Sequence, residues 1–166
     1  MSNTTRWVVD PAHSSAEFRV PHFWGLVKVK GKFERIGGWL EMDYNGVRRL
    51  ELLIDAASVN TGNRQRDEHL RGADFFDTDR HPNVHFVSSQ VSTADGDDLR
   101  VRGELLAAGE RVALELRPTM RQIDDRIEVD ASTTVDQRQL GMTWSPLAIA
   151  RTPTVLTVHA QLRPRR

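Results

Sequence analysis

Alternation of apolar and polar residues with a period of two runs through most of this chain, and it restricts the fold to sheets with one dry and one wet face. Ala16, Phe18 and Val20 alternate with Glu17 and Arg19, and Leu50, Leu52, Ile54 and Ala56 with Glu51 and Asp55, Leu53 being the exception. Leu99, Val101, Gly103 and Leu105 alternate with Arg100, Arg102 and Glu104, and Ile127 to Val135 repeats the pattern against Glu128, Asp130 and Ser132. Turn signals punctuate these runs at Gly31, Gly37-Gly38, Tyr44-Asn45-Gly46, Asp95-Gly96-Asp97, Gly109 and Asp124-Asp125. A meander of about eight such strands without interleaved helices predicts an all-β protein, an antiparallel eight-stranded β-barrel, because closure removes the exposed edges of an open array. Gly37-Gly38 within the long run from Lys28 to Asp43 is the expected site of a bulge or sharp coiling.

At 166 residues the chain is expected to be a single domain, 1–166, with one core. Arg64 to Arg71 is the one stretch with helical potential, with Asn63 as its cap, and a short helical segment is expected around 64–76. Leu70, Phe75 and Phe76 would pin it across an open end of the barrel. Leu140 to Arg151 has no clear period, and Arg163 to Arg166 reads as a frayed tail. Twenty-three basic residues balance 23 acidic ones, and no block of like charge occurs, so nucleic acid is not an expected partner. No apolar run approaches the roughly 20 residues of a membrane span, so stable membrane insertion is not expected. The N-terminal MSNTTRWVVDPAHSS lacks a basic segment followed by an apolar one, which gives a cytoplasmic expectation, or a periplasmic one if a leader was removed. A homodimer through the outer wall is a further expectation, with Trp7, Trp24 or Trp144 as its marker if exposed.

The absence of Cys excludes disulfides and thiolate chemistry. Six His are present, but no HxH, no HExxH and no His pair on one helical face, so no metal site is expected. No nucleophile elbow or comparable catalytic motif occurs. Arg66, Asp67 and His69 either tie a crossing loop to the barrel or meet a ligand head group, since buried charges persist mainly when paired. An interior set of Phe18, Phe33, Trp39, Phe76 and Phe86 with Leu52, Ile54 and Leu105 would serve equally as packed core or as cavity lining. A barrel of this size does either. The small residues Ala16, Ala56, Ser88, Gly103 and Ala131 at interior register leave volume, which favours a cavity.

The segment from Val59 to Phe86, with Asn60-Thr61-Gly62, Arg66-Asp67-x-His69-Leu70, Phe75-Phe76-Asp77 and His81-Pro82, resembles the signature of the YceI-like family. Asp10-Pro11-Ala12-His13-Ser14, Phe18-Arg19-Val20-Pro21-His22, Gly31-Lys32-Phe33 and Arg138-Gln139-Leu140-Gly141-Met142 match in the same order. The resemblance covers nearly the whole chain. It implies a lipocalin-like barrel that holds a polyisoprenoid, isoprenoid quinone or fatty-acid-like lipid, acting as a carrier, with no catalysis and no cofactor beyond such a lipid. The chain departs from the family pattern after Leu105, where LLAAGERVALEL makes a tighter hairpin. On this reading the aromatic and aliphatic set, with Val20, contacts the apolar chain, and His22, Arg66, Asp67 and His69 surround its polar head. The alternatives are a hydrolase or isomerase acting on a lipophilic substrate through a His69/Asp67 acid–base pair, or a packed barrel without ligand.

Overall fold

A computed structural model describes residues 3–23, 27–93, 98–140 and 153–166, and the side chains of all these except 20–23, 27–29 and 137–138. The strands in chain order are β1 (Thr5–Val9), β2 (Ser15–Phe23), β3 (Val27–Phe33), β4 (Ile36–Asp43), β5 (Gly46–Asp55), β6 (Val59–Asn60), β7 (Asn83–Thr93), β8 (Leu99–Ala107), β9 (Glu110–Leu116), β10 (Thr119–Ile123), β11 (Arg126–Asp136) and β12 (Pro153–Pro164). Among the described residues the one α-helix, α1 (Arg64–Arg71), lies between β6 and β7, and short 3-10 turns occupy Pro11–His13, Ala56–Ser58 and Gln137–Leu140.

All twelve strands belong to one antiparallel sheet. β1 with β2, β3 with β4, and β9 with β10 each form one bent stave, so that with β5, β7, β8, β11 and β12 the wall has the eight staves expected of the barrel. β12 is its spine. One edge pairs with β11 from Pro153 to Leu162, while the other pairs first with β2, Val155 opposite Arg19, and then with β1, Leu162 opposite Val9. β9 pairs with β8 and β10 with β11, so the chain changes partner at Arg117-Pro118 and the circuit returns to its start. Proline suits that point because it has no N–H to give to a ladder. Among the described residues no ladder joins β9 to β11, and the sheet is open along that boundary.

Close packing inside the wall dictates two glycines. Phe18 lies across Gly31 on the neighbouring strand, and a Cβ there would come within 2.2 Å of its ring. Gly38 has a φ of +139° and sits where a Cβ would meet the Glu51 carbonyl at 2.2 Å. The bulge expected at Gly37-Gly38 is not there: both stay in register with Leu53 and Leu52, and the irregularity falls at Glu41/Met42. Gly38 therefore serves close approach rather than a change of register. The tight hairpin after Leu105 is observed, with Ala108 and Gly109 at φ 50° and 81° between β8 and β9, the left-handed pair that a two-residue turn requires. Asp95-Gly96-Asp97 and residues 141–151 of the aperiodic stretch lie outside the described residues.

Asp10 joins the ends of the barrel wall. Its carboxylate accepts from the Ala12 amide at 3.1 Å and contacts His13 Nδ1 at 3.0 Å, while Arg163 Nε lies 3.5 Å away. Its amide donates to the Gln161 carbonyl at 2.8 Å, and Ser14 Oγ bridges the Asp10 carbonyl and the Gln161 amide at 2.7 and 3.0 Å. The Arg163 to Arg166 segment is accordingly no frayed tail: β12 runs to Pro164 and the Arg165 amide donates to the Arg6 carbonyl at 2.8 Å. Trp7 is buried, 7% exposed, so it marks no outer patch, and Trp24 and Trp144 lie outside the described residues.

The hydrogen bond with His13, helped by the Ala12 amide, holds the Asp10 carboxyl below the ordinary carboxylate range. A depressed folded-state value means that its contribution is complete above about pH 3.9, the unfolded value, and is lost as pH falls through the folded one. Asp10→Asn is expected to lower the melting temperature at neutral pH, with the gap to the parent narrowing as the pH falls below about 4. Thermal unfolding followed by circular dichroism from pH 7 to pH 3 checks it, and a gap independent of pH would contradict it.

Candidate ligand-binding cavity

The inward faces of the staves do not fill the barrel. They surround a cavity of about 630 Å³, within the roughly 300–1,000 Å³ range of small-molecule sites. Its lining follows the alternation: Ala16 and Phe18 on β2, Leu50, Leu52 and Ile54 on β5, Val84 and Phe86 on β7, Val101, Leu105 and Ala107 on β8. Leu114 and Leu116 on β9 face Val129, Ala131, Thr133 and Val135 on β11 across the open boundary, with Leu156, Val158 and Ala160 on β12 beside them. Several of these inward positions, including Leu50, Leu114, Val129, Leu156 and Val158, are only half-buried although they point into the barrel. Their remaining accessible surface faces the cavity.

One end of the cavity is covered by α1 and the turn that follows it. Asn63 caps the helix by accepting from the Arg66 amide at 3.1 Å, as its sequence position foretold. Leu70, Phe75 and Phe76 pack against the core, with Phe76 edge-on to Phe33 at 5.6 Å and Phe33 tilted against Phe18 at 5.5 Å. Arg71 Nε donates to the Ala57 carbonyl at 3.2 Å and anchors the far end of the helix. Polar groups reach the lining here through Asn63, Gln65, Arg66 and His69. The rest of the cavity is overwhelmingly apolar.

Of the residues expected at the site from sequence, Phe18, Phe33, Leu52, Ile54, Arg66, His69, Phe76, Phe86 and Leu105 line this cavity. Trp39 borders it only through its strand. Buried Leu40 is the inward residue of that pair, so the indole is on the outer wall, where the Arg6 guanidinium lies 4.2 Å and that of Arg49 5.8 Å from its ring. Asp67 is not on the lining: it is 8% exposed, and its Oδ1 accepts from the Thr61 amide at 2.9 Å and from Thr61 Oγ1 at 2.6 Å. A carboxylate so occupied stabilises the loop, and it does not orient His69. His69 instead stacks edge-on to Phe75 at 5.1 Å, with Nε2 4.0 Å from Asp74 Oδ2, so the His69/Asp67 acid–base pair is not assembled. The side chains of Val20 and His22 lie outside the described residues. No cluster suited to a metal ion occurs among the described residues, and no helix there is long and apolar enough to cross a membrane.

The small residues reach the cavity by different routes. Ala16 and Ala131 line it, but Ser88 Oγ accepts from the Leu50 amide at 2.9 Å and Gly103 lies beneath the Phe86 ring. Sequence reasoning missed the aliphatic half, Leu114, Leu116, Val129, Leu156 and Val158, although the same period-two pattern marks each of them.

Comparison with known proteins decides the family, since the sequence model of the YceI-like domain matches residues 7–162. The chain belongs to the YceI-like family. A UPF0312 protein of Staphylococcus aureus (strain USA300) is 38% identical over 102 residues, 60% of this chain and 59% of that protein. This chain thus aligns to less than two thirds of the length of such relatives. Among solved structures, BcnA of Burkholderia cenocepacia superposes with a TM-score of 0.83 at 22% identity, covering 92% of this chain and 98% of BcnA. A polyisoprenoid binding domain from Saccharophagus degradans, implicated in plant cell wall breakdown, superposes with a TM-score of 0.74 at 17% identity, covering 99% and 100% of the two chains. At those identities the likeness is one of fold.

Thr61 holds the loop before α1 from both sides: Arg66 Nε donates to its Oγ1 at 2.9 Å and Arg66 Nη2 to its carbonyl at 3.0 Å, opposite the Asp67 contacts. Thr61→Val removes the hydroxyl shared by a buried carboxylate and a guanidinium, and is expected to lower unfolding free energy by about 1–3 kcal/mol, with Thr61→Ser close to the parent. Urea denaturation of the three proteins measures this, and an unchanged midpoint for Thr61→Val would refute the clamp.

Proposed function

We propose that this barrel is a carrier that holds one long apolar chain, of the polyisoprenoid, isoprenoid quinone or fatty-acid-like class, inside its wall. The observation that carries the reading is the cavity itself, about 630 Å³ lined by aliphatic and aromatic side chains from nearly every stave. At roughly 30 Å³ of liquid volume per molecule, about twenty waters would occupy such a space, and an apolar lining offers them few hydrogen bonds. Replacing them with hydrocarbon is favourable by roughly 0.8 kcal/mol per buried methylene. Membership of the YceI-like family and the fold shared with a polyisoprenoid binding domain support the same reading.

In this arrangement Phe18, Phe33, Leu52, Ile54, Phe76, Phe86 and Leu105 contact the chain, together with the aliphatic wall of β9, β11 and β12. Arg66 and His69 meet its polar end beneath α1. Selectivity then follows chain length and girth more than head-group chemistry, because two or three polar contacts compete with many buried methylenes. Among the described residues Asp67 is held by Thr61 and is not turned to His69, which favours a carrier over an enzyme using that pair.

Native mass spectrometry of protein purified without detergent, followed by organic extraction, is expected to find a discrete lipid. A clean apo mass that also refuses added polyprenols and quinones would overturn the carrier reading. Ala131→Trp places an indole on the lining, opposite Val158 on β12. By displacing two or more methylenes of ligand it is expected to reduce uptake by roughly tenfold or more while leaving the barrel folded.

A further inference from the structure

The outer face of β2 and β3 carries a second concavity, of about 600 Å³, that the carrier reading does not use. It is separated from the apolar cavity by the strand that contains Glu17 and Phe18, which border both. Arg19 and Lys30 stand directly opposite one another across the β2–β3 ladder, with Glu17 opposite Lys32 one step along and Asn60 of β6 opposite Lys32. Arg19 and Lys30 are both exposed, and neither forms an ion pair with a described residue, whereas Lys32 has Glu34 at 4.0 Å. Like charges facing each other on one ladder repel. Elsewhere on this wall arginines meet carboxylates, as in Arg6–Glu41, Arg102–Glu115 and Arg121–Glu128. The Arg19–Lys30 pair is thus two cations opposed on one ladder without the carboxylate that those arginines have.

Its position indicates the anion. β2 ends and β3 begins at the same end of the barrel as the N-terminus of β12 and the C-terminus of β11, and Asn60 leads through Thr61 into α1, which covers the cavity there. We propose that this groove binds the phosphate groups of an anionic phospholipid bilayer and seats the barrel with its helix-covered end at the membrane. Arg19 and Lys30 would bracket one phosphate, the guanidinium through paired N–H donors and the ammonium as a point charge. The contact is electrostatic and superficial, compatible with a chain whose net charge is zero, because a bilayer surface acts on the patch within about a Debye length and not on the whole molecule. Its purpose rests on the carrier reading, but its test does not, since it measures where the protein sits and not what it holds.

The experiment is co-sedimentation of the full chain with vesicles of phosphatidylcholine alone and of phosphatidylcholine with one third phosphatidylglycerol, at about 0.1 M salt. Binding is expected to the mixed vesicles only, with Arg19→Gln and Lys30→Gln each reducing the partition coefficient by about fivefold. Arg117→Gln, an equal loss of charge on the β9–β10 connection, is expected to leave it nearly unchanged. Thermal unfolding of the two groove variants should match or exceed the parent, since each substitution relieves repulsion. Equal binding to both vesicles, no binding to either, or indifference to both groove substitutions would overturn the proposal. So would competition by 10 mM inorganic phosphate at constant ionic strength, which would mark a site for a small soluble phosphate instead.

Discussion

The barrel depends on curling one sheet round until few of its edges are left unpaired, and it does so with strands that change partner part-way along. β12 passes from β2 to β1 on one edge while holding β11 throughout on the other, and the stave from Glu110 to Ile123 passes from β8 to β11. Each exchange comes with a break, in the facing stave in the first case and in the exchanging stave itself in the second. The Pro11–His13 turn separates β1 from β2, and Arg117-Pro118 separates β9 from β10. The first break is held by the Asp10 amide and the Ser14 hydroxyl on Gln161, with His13 against the Asp10 carboxylate, so that an interruption of the sheet becomes a hydrogen-bonded joint. The second is not bridged by any ladder between β9 and β11, and this unpaired boundary lies directly beside the aliphatic half of the cavity.

A wall built this way has an interior of two characters. Near α1, Phe18, Phe33 and Phe76 interlock and give shape to the chamber, while along β9, β11 and β12 the lining is mostly Leu, Val and Ala, with Ser132, Thr133 and Thr154 as its few hydroxyls. An apolar chain lying against the second region is held by dispersion and water release, which are not directional. Directional contacts are concentrated beneath the helix, at Asn63, Gln65, Arg66 and His69. Many charged residues of the remaining wall point outward and pair there, each pair contributing little to stability in an exposed setting. The permanence of the barrel accordingly rests on its ladders and joints and not on its surface charges.

The fold was legible because regular alternation leaves few options: Leu53, the apolar residue out of phase in the run from Leu50 to Ala56, is 41% exposed, as its position on the wet face requires. The site was legible only in part. Trp39 was drawn inward by its aromatic character, yet counting by twos from Leu40 puts it outside, and cation–π contact with Arg6 and Arg49 explains an indole there. Asp67 was grouped with a ligand head group because sequence shows a charge but not what it is turned towards, and the Thr61 amide and hydroxyl have no signature of their own. The aliphatic lining escaped notice for a different reason. Leucine and valine at alternate positions read the same whether they pack against each other or face an empty chamber, and only the curvature of the assembled wall distinguishes the two.

That distinction separates what the family resemblance conveys from what it leaves open. The matching residues are largely those that hold the frame: Asp10 and Ser14 at the first joint, Gly31 under the Phe18 ring, Thr61 and Asp67 in the clamp before α1, and Leu70 and Phe76 over the end of the cavity. A second chain with those residues would be expected to build the same barrel with the same covered end. The length and girth of the cavity, in contrast, are set by Leu114, Leu116, Val129, Ala131, Leu156 and Val158, which belong to none of the matching motifs. On the carrier reading frame and selectivity are thus carried by different residues, and members with equally good signatures would hold chains of different length. Ligand differences within the family should track the volumes of the side chains on β9, β11 and β12 and not the polar residues of the signature segment.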